Sequence, residues 1–315
     1  MLTAKEAAQL LDVTLPTLYA YVSRGLIHSE PHPEDSRQRL YSRADVEALL
    51  KRKTARKDPH SAAKDTLNWG MPLLDSALTL ITDGKLFYRG IDAIELAQTQ
   101  PLEAVAALLW TGMLEGMTFA PDNRIEIDLS RLSDLDLMGR LQVALALAAT
   151  DDLRAYDLSP DGLASAGARI MRLLAEAITR QPFQTENIAS CLSAAWTPDQ
   201  PNSTELLNLA MVLCAEHELN ASSFTARVVT AAGATPYAVV SAGLSALSGV
   251  KHGGATIRVE ALFREVESIG DAKKVISQRL QRGESVPGFG HRLYPDGDPR
   301  GRELVEKSLE YGTSQ

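Results

Sequence analysis

Ala, Leu and Val recur at spacings of three and four residues through most of the chain from Leu67 onward. The pattern is clear in IELAQTQPLEAVAALLW, DLMGRLQVALALAAT, DGLASAGARIMRLLAEAIT and TELLNLAMVLCAEHE. That period lines apolar side chains along one face of a helix, so each stretch predicts an amphipathic helix. Period-two texture shows in ALTLITDGKLFYRG, where Asp83-Gly84 predicts the turn of a small hairpin. No repeat of fixed length is present. VVTAAGATPYAVVSAGLSALSGV, residues 228–250, carries no charge, but its residues are mostly small or hydroxylated and Gly233 and Pro236 interrupt it. It is too weakly hydropathic for a membrane span and predicts a buried helix pair. The unit is expected to be mainly α.

The first fifty residues are patterned differently. Thr3-Ala4-Lys5-Glu6 before AAQLL is a capping box opening a short helix. Asp12-Val13-Thr14 makes a turn, Thr14 caps LPTLYAYVSR, and Gly25 ends it. RLYS reads as the returning strand of a small wing, and Ser42-Arg43-Ala44-Asp45 starts a third helix. Arg37, Arg39, Arg43, Lys51, Arg52, Lys53, Arg56 and Lys57 crowd into one short stretch. Such a cluster suits phosphate contacts, and Thr17, Tyr19 and Tyr21 on the second helix are candidates to face a groove. LTAKEAAQLLDVTLPTLYAYVSRGLI followed by RLYSRADVEAL resembles the winged helix-turn-helix of the MerR-like and excisionase type. The resemblance implies DNA as a partner through Thr17, Tyr19, Arg37 and Arg39. A docking module within the protein is the other reading. The division expected is a helix-turn-helix over 1–53, a polar linker over 54–66 and a larger domain over 67–315.

Bulk properties narrow this little further. Hydrophobic residues make up 45% and charged residues 23% of the 315, an ordinary globular balance with room for a sizeable core. A formal charge of −8 argues against nucleic-acid binding by the whole chain, though not by a local patch. Cys191 and Cys214 give neither a disulfide framework nor a zinc spacing and are expected to be reduced and buried. MLTAKEAAQLL is not a signal peptide, and the cytoplasm is the expected location.

Candidate chemistry enters through His217 in AEHELNASSFTARV, His252 in SGVKHGGATIRVE and His291 in VPGFGHRL. Glycines flank the last two, where they permit tight turns and close approach of the backbone. The spacings do not form a metal motif, PGFG lacks the P-loop pattern, and Ser222 and Ser223 lack a nucleophile elbow. Arg300 follows in DPR, either as a ligand group or in a salt bridge with Asp296 or Asp298.

LFYRGIDAIELAQTQPLEAVAALLWTG, HELNASSFTARVV, GLSALSGVKHGGA and VPGFGHRLYPDGDPR, in that order, resemble citrate synthase over nearly all of residues 67–315. The resemblance implies an all-α large domain (67–254), part of a small domain (255–315), and a homodimer through the helices around 222–250. It implies condensation of acetyl-CoA, or another short acyl-CoA, with oxaloacetate to give citrate and CoA, with acetyl-CoA as co-substrate and no further cofactor or metal. A methyl proton beside a thioester is very weakly acidic, so a base and a stabiliser of the developing oxygen charge are needed. His252 matches the family's histidine that hydrogen-bonds the thioester oxygen. His291 matches the one that polarises the keto carbonyl, and His217 one that binds the keto acid. Arg300 matches an arginine gripping a carboxylate, and Pro287, Gly288, Phe289 and Gly290 match a stretch accepting the CoA nucleotide. The family's base is an aspartate downstream of the DPR motif, followed by two more arginines, and GRELVEKSLEYGTSQ offers no match. No residue here is therefore assigned as base, the chain is expected to be part of a longer or frameshifted sequence, and residues 255–315 are expected to expose apolar faces. The alternative is a helix-turn-helix regulator whose synthase-like dimer senses a metabolite.

Overall fold

In the computed structural model the described residues are all but 24–25, 32–37, 58–75, 115–124, 126, 185–186, 218–219, 292 and 313–315, with backbone alone for 51–57, 129 and 131. The chain forms two compact units, Met1–Asp75 and Ser76–Gln315.

The first unit begins with β1 (Leu2–Thr3) and α1 (Ala4–Leu11). The capping box forms as expected: Thr3 Oγ1 accepts from Glu6 N–H at 3.3 Å, and Glu6 Oε2 accepts from Thr3 N–H at 2.8 Å. Asp12 closes α1 in the left-handed region, and α2 (Leu15–Ser23) follows. β2 (Ser29–Pro31) and β1 flank β3 (Arg39–Tyr41) in an antiparallel sheet, the wing anticipated at RLYS. Leu2, Ala7, Leu11, Leu18, Ile27, Tyr41 and Val46 fill one core. Tyr21 packs against that core, so it does not face outward as expected, whereas Tyr19 is 50% exposed. Arg39 is held within the sheet, donating to Ser29 Oγ and to Ser29 O at 2.9 and 2.7 Å. Arg37 lies outside the described residues. α3 (Arg43–Lys57) runs four residues into the expected linker, because ARK extends a stretch of helix formers with no Gly or Pro to stop it. The rest of that linker, 58–66, lies outside the described residues.

The second unit opens with β4 (Thr79–Thr82), β5 (Lys85–Tyr88) and β6 (Ile91–Asp92) in antiparallel order. Thr82 pairs with Lys85 across Asp83-Gly84, whose φ values of 51° and 71° are those of a two-residue hairpin turn that glycine favours. α4 (Ala93–Thr99), α5 (Leu102–Thr111), α6 (Leu137–Asp151), α7 (Pro160–Thr179), α8 (Ile188–Trp196) and α9 (Ser203–Leu213) follow. Side chains of Asp92, Asp136, Ser159 and Asn187 cap four of these at their N-termini, satisfying amide donors that a helix start leaves open. Leu86, Tyr88, Leu96, Val105, Leu108, Leu209 and Leu213 join the sheet to α4, α5 and α9. A second cluster includes Leu141, Leu145, Ile170, Leu173 and Tyr237, the last from α11 (Pro236–Leu247). Inside it, the carboxylate of Asp152, fully buried, accepts from Arg169 Nε at 2.7 Å, Arg154 Nε at 2.9 Å and Tyr237 Oη at 2.9 Å.

α10 (Ala221–Ala231) pairs with α11, but α10 buries no residue and α11 buries Tyr237 alone. The buried pair expected from sequence is thus open on its outer faces, since the described chain supplies no element to cover them. No described helix is long and apolar enough to cross a membrane. α12 (Thr256–Ile269) and α13 (Ala272–Gln281) pack on each other, burying Leu262 and Val275, and α14 (Pro299–Gly312) packs on α9. Ile257, Phe263, Leu280, Val305 and Leu309 are 58% to 69% exposed, the open apolar faces expected of residues 255–315. Cys191 is buried as expected, but Cys214, in the turn leaving α9, is exposed.

Candidate active site

The site starts from a tyrosine that the sequence did not mark. Tyr88 ends β5 fully buried, its hydroxyl 3.0 and 3.1 Å from the carbonyl oxygens of Val212 and Leu213. The same oxygen accepts from Glu216 N–H at 3.4 Å. Burial raises the Tyr88 pKa well above its usual value, so it remains a phenol. These bonds fix the turn leaving α9, and His217 follows directly.

Opposite stands the loop of residues 286–298. Gly288 and Gly290 have φ of 85° and 86°, which side-chain-bearing residues rarely adopt. A Cβ on Gly288 would also lie 3.2 Å from Val259 of α12. Phe289 between them is 76% exposed. His291 bridges to Tyr294, whose N–H donates to His291 O at 3.1 Å. The fold brings the His217 and His291 rings edge to face with centroids 5.0 Å apart. Tyr294, 2% exposed, joins them: its hydroxyl is 3.0 Å from His217 Nε2, and its ring centroid is 5.3 Å from that of His291.

Arg300 enters at the first turn of α14, its Cζ 5.7 Å from the Tyr294 ring centroid. The salt-bridge reading holds in the ligand-free chain, and the partner is Asp298. Arg300 Nε donates to Asp298 Oδ1 at 3.0 Å and Nη2 to Oδ2 at 2.6 Å. This side-on fork occupies two nitrogens and leaves Nη1 without a hydrogen bond among the described residues. Burial works to raise the Asp298 pKa, but Arg300 outweighs it and keeps the carboxyl below its ordinary range.

His252 occupies a different corner. Its Nε2 is 3.0 Å from Ser222 Oγ in the first turn of α10. Ser222 in turn donates to the Oδ1 of Asn220, which caps that helix by accepting from Ser223 N–H. No ring contact or hydrogen bond joins His252 to His217 or His291. The link is through the chain, because Asn220 and Ser222 lie just beyond His217. The flanking glycines are explained by close approach: a Cβ on Gly253 would sit 2.7 Å from Leu247 O, and one on Gly254 2.8 Å from Ser248 O. Of the residues singled out from sequence, then, the structure gathers His217, His291 and Arg300 into one cluster and sets His252 apart on Ser222. Tyr294 and Tyr88 were not foreseen as parts of the cluster, nor Ser222 as the partner of His252, whereas Asp298 was foreseen as one of two salt-bridge partners for Arg300.

All three imidazoles are held uncharged at neutral pH. Burial lowers the His217 pKa to about 4, helped by Arg300 and His291 and opposed by Asp298 and by its own main-chain carbonyl. Burial also lowers those of His252 and His291. Uncharged imidazoles can donate to a carbonyl oxygen without first carrying a full charge. An unfolded chain binds a proton at each histidine near pH 6.5, where the folded chain resists it. Stability is therefore expected to fall as pH drops from 6.5 toward 4, with His217 contributing about 1–2 kcal/mol after allowance for solvent screening. Urea midpoints for wild type and His217→Gln across that window check this; a variant with an equally steep decline contradicts it.

Residues 66–314 match the family described as citrate synthase, C-terminal domain, and residues 1–54 match a helix-turn-helix domain. Citrate synthase 2 of Bacillus subtilis is 31% identical over 268 residues, covering 76% of this chain and 72% of that one. The citrate synthase of Haloferax volcanii is 31% identical over 279 residues, covering 77% and 73%. In fold, the chain is similar to the solved structure of citrate synthase from Thermoplasma acidophilum, with a TM-score of 0.64 at 22% identity over 78% of this chain and 74% of that one. The family match spans most of the chain and all four candidate catalytic and substrate-binding positions, so this protein belongs to the citrate synthase family.

Proposed function

We propose that the second unit binds a dicarboxylic keto acid, oxaloacetate, between His217, His291 and Arg300, for condensation with acetyl-CoA or another short acyl-CoA. The observation that carries this reading is the convergence of two uncharged imidazoles and a guanidinium on one buried tyrosine. The Thermoplasma structure was determined with carboxymethyl coenzyme A and oxaloacetate, which supports that pairing of ligands. In this reading Arg300 uses its remaining Nη1 edge for a ligand carboxylate, and His291 polarises the keto carbonyl. His252, oriented by Ser222, donates to the thioester oxygen as the enol forms. The exposed Phe289 and the turn of Pro287, Gly288 and Gly290 accept the CoA nucleotide. No residue of the chain is assigned as proton-abstracting base. A homodimer through α10 and α11 belongs to the same reading, because their outer faces are open and Val228 is 54% exposed.

The experiment is thiol release from acetyl-CoA on addition of oxaloacetate. Release by a longer protein that supplies the base, reduced by about 10²-fold or more when it carries His252→Ala, is expected, whereas this chain by itself is expected to release little. Equal release by the two proteins contradicts the role given to His252.

A second reading rests on the first unit, whose fold and family match are those of a helix-turn-helix. We propose DNA binding through Thr17 and Tyr19 of α2, which would make the protein a regulator with a metabolite-binding dimer. Fluorescence anisotropy with a short mixed-sequence DNA duplex should show binding that weakens steeply with salt and falls about 3–10-fold in Tyr19→Ala. Absence of binding at low salt contradicts this reading and leaves the first untouched.

A further inference from the structure

We infer that the Tyr88 hydroxyl is the stop that ends α9 at Leu213, and that by ending it there Tyr88 acts as a positioning residue for His217. The sequence around the helix end supplies no stop of its own. Apolar spacing in TELLNLAMVLCAEHE carries a helix on toward His217, and Cys214-Ala215-Glu216-His217 holds no Gly or Pro. Ala and Glu are good helix formers. The helix nevertheless ends at Leu213, and His217 lies beyond it in irregular chain.

In a continuing α-helix, Glu216 N–H would bond Val212 O and His217 N–H would bond Leu213 O. Tyr88 engages both acceptors. Its hydroxyl oxygen lies 3.0 Å from Val212 O and 3.1 Å from Leu213 O. A carbonyl only accepts, so the phenol proton is donated to this pair. Glu216 N–H then meets the phenol oxygen, at 3.4 Å. The hydroxyl thus stands in the ladder between the donor and the acceptor of one helical bond, and a side chain inserted there breaks the run of the helix. Ala215 N–H turns back to Val212 O at 3.1 Å, which tightens the last turn. The place of the hydroxyl is set from outside α9: Tyr88 ends β5, and its fully buried ring packs in the cluster that includes Leu86, Leu96, Val105 and Leu108. On an extended α9, His217 would share the face of Leu213, four positions earlier, and Leu213 is buried in that same apolar cluster. Stopping the helix turns the chain away and delivers His217 to the rings of His291 and Tyr294.

Tyr88→Phe keeps the ring and deletes the oxygen. The test is backbone carbon chemical shifts at residues 214–217 of the isotopically labelled full chain. Wild type should show non-helical values there. Tyr88→Phe should show helical ones, as Glu216 N–H closes directly on Val212 O. Adding Ala215→Gly, which disfavours helix at that point, should return them toward wild type. Helical values in wild type, or non-helical values in Tyr88→Phe, overturn the inference. A buried hydroxyl donated to carbonyls exchanges slowly, so wild type should also show a resonance for the Tyr88 hydroxyl proton. Its absence overturns the inference whether or not the variant folds. The consequence for binding rests on the keto-acid reading above. Oxaloacetate affinity should fall about 3–10-fold in Tyr88→Phe, the worth of one hydrogen bond, and recover in the double variant. Helical shifts with unchanged affinity overturn the positioning role, as does affinity that stays low after the shifts have returned. A wild-type protein that binds no oxaloacetate, with the expected shifts in all three proteins, defeats the keto-acid reading and leaves the helix stop standing.

Discussion

Asp152→Ala is expected to destabilise the second unit by about 3–5 kcal/mol, the range for breaking a buried ion pair by removing one partner. The Asp152 side chain is fully buried and that of Arg169 is 2% exposed. The carboxylate ties together the end of α6, the middle of α7 and the first turn of α11 through Arg169 and Tyr237. Alanine would remove the acceptor of the Tyr237 hydroxyl and leave the buried Arg169 charge without the Asp152 carboxylate. Asp152→Asn, which keeps shape and one acceptor oxygen, should cost less. Replacing both ions, Asp152→Ala with Arg169→Met, should cost less than the sum of the single changes, since no charge is then stranded. Burial opposes ionisation of Asp152, but hydrogen bonds from Arg154, Tyr237 and Arg169 outweigh it and hold its pKa below the ordinary value. The stability it confers is thus present above the unfolded-state pKa and is lost as pH falls through the lowered folded value. Urea unfolding measures all of this, and a loss below about 1 kcal/mol for Asp152→Ala would mean that the network is not what locks α11 to α6 and α7.

Arg300→Gln is expected to weaken oxaloacetate binding by about 30-fold to several thousand-fold, corresponding to the 2–5 kcal/mol typical of truncating one partner of a buried, hydrogen-bonded charge pair. Two losses combine. The ligand carboxylate loses its cation, and Asp298, whose side chain is 26% exposed, becomes an unpaired negative charge beside the ligand. Arg300→Lys should not restore binding, because a single ammonium cannot hold Asp298 side-on and present a second edge at once. Arg300→Gln with Asp298→Asn should recover part of the loss by removing the repulsion. Isothermal titration of the four proteins decides this. If the double variant binds no better than Arg300→Gln, Asp298 contributes nothing to the field at the site.

Local rules carried much of the fold. The Thr3–Glu6 box and the Asp83-Gly84 turn are each written within four residues, and both form. The third helix starts at Ser42-Arg43-Ala44-Asp45 as read from the sequence and continues through KRKTARK to Lys57, since Lys, Arg and Ala are good helix formers. Cys214 was expected to be buried from residue type, yet it sits in the turn after α9, where position decides exposure. The histidines stood out because glycines flank two of them. Tyr294 did not, since a tyrosine in HRLYPDG looks like any turn aromatic until His217 meets it from seventy-seven residues away. The Asp152 network was illegible for the same reason, its ends being eighty-five residues apart. Sequence shows which groups exist; pairings over such separations are set by packing.

The most direct test of a keto-acid pocket is titration of oxaloacetate into the full chain with nitrogen-labelled histidines, following each ring by NMR. The chain has six histidines. His217 and His291 should shift together and saturate at one ligand concentration, with His28, in the first unit, unmoved. Shifts absent from both His217 and His291, while the protein remains folded, would contradict the account.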